Sequence, residues 1–170
     1  MPNTFTLIAS STVGSGGAAS IDFTSIPSTY TDLVIKGSLR TAQSGTADPI
    51  QSLLIQFNGT TTNYSYRLLQ GYNNAAGSYN GTTRFFGDAA NSDATASTFG
   101  NLEIYIPNYA GSTNKSYSAD SVTENNGTKA AADLDAGLWS NTAAITSISI
   151  SAANNLVQYS TAYLYGIVKS

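Results

Sequence analysis

Apolar and polar residues alternate one for one through nearly every patterned segment of this chain. In "DLVIKGSLRT" (32–41), Leu33, Ile35, Gly37 and Leu39 fall on one side and Lys36 and Arg40 on the other. "IQSLLIQFNG" (50–59) repeats the pattern with Leu53, Ile55 and Phe57, and "FGNLEIYIPN" (99–108) with Leu102, Ile104 and Ile106. Successive side chains of a strand point to opposite faces, so this period predicts strands with one face in a core and the other in water. Such a chain buries its apolar faces by stacking one sheet on another.

The remaining segments extend the pattern. Phe5, Leu7 and Ala9 alternate with Thr4, Thr6 and Ile8, and after the loose turn "VGSGGAAS" Ile21 and Phe23 alternate up to Pro27. "YSYRLLQGY" (64–72) is a strand, and weaker ones are expected at 115–124 and 132–140. Two closing strands are expected near 145–151 and 159–168, adjacent to one another, with Ile148 and Ile150 inward. Asn58-Gly59 suits the positive φ of a tight turn. Residues 73–98 are the least patterned, with a small strand at 83–86. "GTKAAADLDAG" (127–137) is the one helical candidate, of a turn or two, because its alanines favour helix. Eight to ten strands with closely spaced turns predict a single domain over residues 1–170, an antiparallel β-sandwich of jelly-roll type.

Composition removes several functions. The 170 residues include no His and no Cys, so imidazole catalysis, thiolate chemistry and cysteine zinc sites are absent. Seven Lys and Arg against ten Asp and Glu make no cationic footprint for nucleic acid. Solubility comes instead from 23 Ser, 21 Thr and 15 Asn. No apolar run approaches the about 20 residues of a membrane span, and Met1-Pro2-Asn3 does not open a signal peptide. "VGSGGAAS" lacks the helix and lysine of a phosphate loop. No catalytic residue, cofactor or metal is expected.

Among the carboxylates, Glu103 points to the polar side of its strand and Glu124 lies near the end of a weaker one, which makes no converging pair for glycoside hydrolysis. Asp133-x-Asp135 has the spacing of two calcium ligands but supplies too few oxygens. Asn-x-Ser/Thr triplets at Asn58, Asn63, Asn80, Asn114 and Asn126 are what so much Asn, Ser and Thr produces by chance. The tyrosines are more informative. Tyrosine offers large contact area at small entropy cost, and Asn, Ser and Gly offer adaptable hydrogen bonds. Tyr72, Tyr79, Phe85 and Phe86, set among such residues, are the candidate partner-binding side chains. Tyr163 and Tyr165 are expected to cap the core with their hydroxyls at its rim, and Trp139 to pack at a core edge.

"FTSIPSTYTDLVIKGSLRT" (23–41), "LIQFNG" (54–59), "GLWSNTAAITSISI" (137–150) and "VQYSTAYLYGI" (157–167) resemble a family of small virion structural proteins of tailed bacteriophages, especially phages of aquatic bacteria. The likeness covers most of the chain and is weakest over 73–98. It implies a virion component, made in the host cytoplasm and displayed on the particle exterior. Within that family the chain reads as a capsid decoration (cement) protein. Its implied partners are the major capsid protein and other copies of itself, as a homotrimer. The alternative is a tail-fibre or receptor-binding protein that recognises host surface glycans. An anchor, coiled coil or repetitive shaft, usual in fibres, is not evident between Met1 and Ser170.

Overall fold

The computed structural model describes residues 4–125 and 129–168. Twelve strands account for its regular structure: β1 (Phe5–Thr12), β2 (Ala18–Phe23), β3 (Asp32–Leu39), β4 (Ile50–Phe57), β5 (Tyr64–Tyr72), β6 (Ala75–Gly81), β7 (Phe85–Ala90), β8 (Gly100–Ile106), β9 (Lys115–Thr123), β10 (Ala131–Trp139), β11 (Ile148–Leu156) and β12 (Thr161–Ile167). They form an eight-stranded sheet in the order β1-β12-β3-β8-β9-β10-β5-β6 and a four-stranded sheet in the order β2-β11-β4-β7. All named pairings are antiparallel. The protein is an all-β antiparallel sandwich, as its period-two patterning predicts.

The core lies between the sheets. Leu33, Ile35, Leu39, Leu53, Ile55, Phe57, Leu102, Ile104, Ile106, Ile148 and Ile150 are all inside it, none more than 4% exposed. At one end the rings of Phe57, Tyr64, Tyr117 and Trp139 pack together, with Trp139 5.6 Å from Phe57 and 6.2 Å from Tyr64. Trp139 is fully buried rather than at a core edge. Tyr117 fits only because position 137 is glycine: a Cβ there would come within 2.0 Å of its ring. The Asn58-Gly59 turn has positive φ at both residues, 50° and 70°. The Asn58 side chain then accepts from the Thr146 and Ser147 amides at 2.8 and 3.1 Å, tying β4 to the entry of β11.

Several expectations are corrected. Residues 131–139 form strand β10 rather than helix, because β9 and β5 pair with them over nine residues on each side, and that pairing outweighs alanine's helix preference. Residues 127 and 128 of that stretch, and Asn126, lie outside the described residues. The closing strands are not adjacent: β11 lies in the small sheet, while β12 sits between β1 and β3 in the large one. Ala162, Leu164 and Gly166 form the inward side of β12, and Tyr163 and Tyr165 point outward. The space above Gly166 is occupied by the Tyr30 ring, which leaves Tyr163 and Tyr165 to face out. A bulge between Leu7 and Ala9 likewise leaves Phe5 and Leu7 about half exposed, with Phe5 edge-on to Tyr165. Arg40 is buried instead of solvated, and its guanidinium donates to the carbonyls of Ala94, Thr95 and Thr98, pinning the loop after β7.

Ile104→Ala should lower unfolding free energy by about 2–5 kcal/mol through the cavity it leaves, whereas Tyr163→Ala on the outward side of the same sheet should cost about 0.5 kcal/mol or less. Urea unfolding monitored by tryptophan fluorescence measures both, because Trp139 is buried in the native state.

Candidate functional site

The poorly patterned stretch 73–98 contains β6 and β7, and the site is built around them. β7 is an edge strand of the small sheet, yet all six of its residues are buried. One side of it, with Phe86, faces the core. The other side is covered because the β5–β6 hairpin reaches past β7 and turns its inward side chains onto the outward side of the small sheet. Tyr66 meets Phe85 with ring centroids 5.1 Å apart, and Gln70 reaches Asp88. A cleft of about 380 Å³ remains between hairpin and sheet, lined by Tyr66, Leu68, Gln70, Tyr72 and Tyr79 on one wall and by Asp48, Ile50, Ser52, Phe85 and Asp88 on the other.

The cleft has a polar underlayer that caps the free edge of β7. An unpaired strand edge leaves backbone donors without partners. Here the Asp88 amide donates to Ser121 Oγ at 3.0 Å and to Asp133 Oδ2 at 3.1 Å, and the Ser121 hydroxyl donates to the same carboxylate oxygen at 2.8 Å. Asp133 and Ser121 thus stand in for a neighbouring strand. Gln70 Nε2 bridges the two acids, 3.0 Å from Asp88 and 2.9 Å from Asp133. Gly87 makes this close approach possible: its φ is +142°, and a Cβ would lie 2.6 Å from Ser121 Oγ. The register shift at that glycine turns Asp88 to the side of Ser52.

Electrostatics follow from burial. Asp135, two residues on from Asp133 along the inward side of β10, is 1% exposed, and neither carboxyl oxygen has a partner. Burial, reinforced by Asp133 and Asp88, pushes its pKa up to about 7. Asp88 is raised by burial and by the neighbouring Asp133. Burial, with Asp135 nearby, also raises Tyr117. At the mouth Asp48 behaves oppositely. Hydrogen bonds from Lys129 at 2.6 Å and from the Tyr72 hydroxyl at 2.5 Å hold its carboxyl below the usual range.

Of the four candidate partner-binding residues, the fold brings Tyr72, Tyr79 and Phe85 together on this cleft. Phe86 is not with them: it is fully buried in the core and does not line the cleft. Asp133 is surrounded by hydrogen-bond donors from Ser121, Gln70 and the Asp88 amide, and among the described residues no group of three or more His, Cys, Asp or Glu is placed to hold a metal. Glu103 forms a surface ion pair with Lys36 at 2.5 Å. Tyr66, from the same aromatic-rich region, lines the cleft as well, and Gln70, Asp48 and Asp88 join it with no local signal in the sequence. The run Tyr66-Leu68-Gln70-Tyr72 was visible as one side of β5, but what it faces was not.

A second hollow, broader at about 710 Å³, lies at one end of the large sheet, where Arg67, Tyr105 and Leu138 stand around Ser116, Ser118 and Ala136. It belongs to the sheet's outward surface and has no acid among its lining residues.

The buried acids make stability depend on pH in a definite direction. Their ordinary value is 3.8 and their folded values are raised, so the folded state holds protons that the unfolded chain has released. Stability should be greatest near pH 4 and fall as pH rises through about 7. In Asp135→Asn the fall between pH 5 and 8 should become shallower, as read from urea midpoints across that range.

No family model, no curated protein and no solved structure matches this chain.

Proposed function

We propose that this protein is a non-catalytic structural component of a bacteriophage virion, a decoration protein that lies on the outer capsid surface and stabilises the head. The observation that carries this reading is the outward face of the eight-stranded sheet. One cross-strand row runs Ser10, Tyr163, Lys36, Glu103, Asp120, Leu134, Leu69, Ser78 over all eight strands. The row beside it runs Leu7, Tyr165, Val34, Tyr105, Ser118, Ala136, Arg67, Asn80, and a third runs from Thr12 through Ser38, Asn101 and Val122 to Ala76. Across the three rows only Lys36, Glu103, Asp120 and Arg67 carry charge, and the first two neutralise one another. Leu69 and Leu134, directly paired, are each 57% exposed.

A wide face of short polar side chains with exposed Leu, Val and Tyr matches what protein interfaces select: aromatic area and few charges to desolvate. Contacts of this kind lose little at high salt, whereas ion pairs are screened. Many copies bound only to the assembled shell would stabilise it by mass action even if each bound weakly. The major capsid protein is the partner in this reading, and a trimer of this chain would match threefold positions of a head.

Strand order adds support. With β1, β12 and the β9–β10 hairpin set aside, the sheets read β2-β11-β4-β7 and β3-β8-β5-β6. That reduced order, with β9 and β10 standing between β8 and β5 in the full sheet, supports reading the sandwich as an elaborated jelly roll, a fold common in viral structural proteins and in lectins. Fold alone assigns no function, so the reading rests on the surface.

Particles lacking this protein should assemble but release DNA at lower temperature, and added protein should restore stability even at elevated salt. Leu134→Glu should keep the fold, as circular dichroism will show, because Leu134 is 57% exposed, and should abolish rescue by placing a charge at the contact. Depleted particles that are as heat-stable as wild type but fail to adsorb to host cells would overturn the reading in favour of receptor binding.

A further inference from the structure

We infer that the cleft beneath the β5–β6 hairpin binds a neutral saccharide of one or two rings, with the Tyr79 ring as its stacking platform. The inference does not depend on decoration. The cleft opens onto the outward side of the four-stranded sheet, beside Ile50 and Ser52, and so remains open when the large sheet's outward face is covered.

Tyr79 is the first reason. It sits on the edge strand β6 and is 53% exposed. Its ring lies against the backbone at Gly77, where a Cβ would come within 2.8 Å of a ring carbon and 2.7 Å of the hydroxyl. The ring is therefore laid along its own strand. The negative face of an aromatic ring complements the weakly positive C–H face of a pyranose.

The polar groups are the second reason. A sugar presents hydroxyls around its rim that donate to acceptors. Gln70 gives both amide hydrogens to Asp88 and Asp133, which leaves its Oε1 to accept, and Asp48 has Oδ2 beside the Oδ1 that Tyr72 and Lys129 occupy. Gln70 and Asp48 line the cleft and are already held in place, Gln70 by two acids at 2.9 and 3.0 Å and Asp48 by Tyr72 and Lys129. Groups oriented before binding lose little freedom on binding.

The third reason is what the cleft excludes. No Lys or Arg lines it, and the Lys129 charge near its mouth is spent on the ion pair with Asp48, so phosphates, acidic sugars and nucleic acid find no free cation among the lining residues. The polar wall disfavours acyl chains. At about 380 Å³ the cleft is at the small end of the roughly 300–1,000 Å³ of ligand pockets.

The test is a titration of the full chain, ¹⁵N-labelled, with glucose, galactose, mannose, N-acetylglucosamine and their neutral disaccharides. At least one sugar should shift the amides of Gln70, Tyr72, Gly77 and Tyr79 with millimolar affinity. Tyr79→Ala should weaken binding about tenfold, while Tyr79→Phe keeps the platform and most of the affinity. Tyr163→Ala, on the other face of the large sheet, should change nothing. Tyr79 is half exposed on an edge strand, so the variants should fold, and their spectra show whether they do. The inference is overturned if no neutral sugar shifts these amides, if the shifts fall elsewhere, or if Tyr79→Ala binds as tightly as the parent.

Discussion

Eight strands facing four is the constraint from which the rest of this structure follows. A four-stranded sheet covers only part of the inner face of an eight-stranded one, and apolar surface left over must find another cover. At one end four aromatic rings fill the space, and at the β12 end the Tyr30 ring closes over Gly166. Along the β5–β6 side the large sheet supplies the cover itself by wrapping around β7. The cleft is the gap this wrapping leaves. It is a product of the mismatch between sheets, and it brings tyrosines, an amide and carboxylates together.

The wrapping raises a second problem. An edge strand enclosed on both faces has backbone donors that water does not reach, and a buried donor without a partner costs more than a hydrogen bond ordinarily contributes. Asp133 and Ser121 answer it at Asp88. The consequence is a carboxylate beneath the cleft, with Asp88 and Asp135 near it and two partnerless oxygens on Asp135. Like charges in a poorly hydrated space disfavour ionisation, so Asp88 and Asp135 are pushed toward the protonated form while Asp48, exposed beside Lys129, is held toward the charged one. Residue type is the same, and position decides the charge.

The two candidate surfaces meet at the β5–β6 hairpin, whose inward side lines the cleft and whose outward side, with Leu69 and Ser78, belongs to the wide face. The wide outward face of the large sheet is almost uncharged and has exposed aliphatic pairs; the cleft is narrow, aromatic and polar. A rigid slab with unlike surfaces on its two sides can rest on one partner and leave the other side accessible. β12, the last strand, is an interior strand held by β1 and β3, which makes the chain's closing segment part of that rigidity.

Period two was enough to place most strands, and it placed the buried faces of β3, β4, β8 and the start of β11, because each has aliphatic residues on one side and small or polar ones on the other. It could not read β6, whose "AAGSYNG" is an exposed edge without a buried side, or β7, whose "FFGDAA" is buried on both sides and does not alternate. In β12 alternation located the strand but not its inward face, since size alone does not say whether Tyr30 or Tyr163 and Tyr165 will fill the space. The sequence therefore determined the fold class and the apolar core, which are local properties of residues two apart. Sheet partnership, the wrapping of β5–β6 over β7, and the meeting of Tyr79, Gln70 and Asp88 were decided by tertiary structure alone, because they depend on contacts between segments far apart in the chain, where no local pattern records which edge lies beside which.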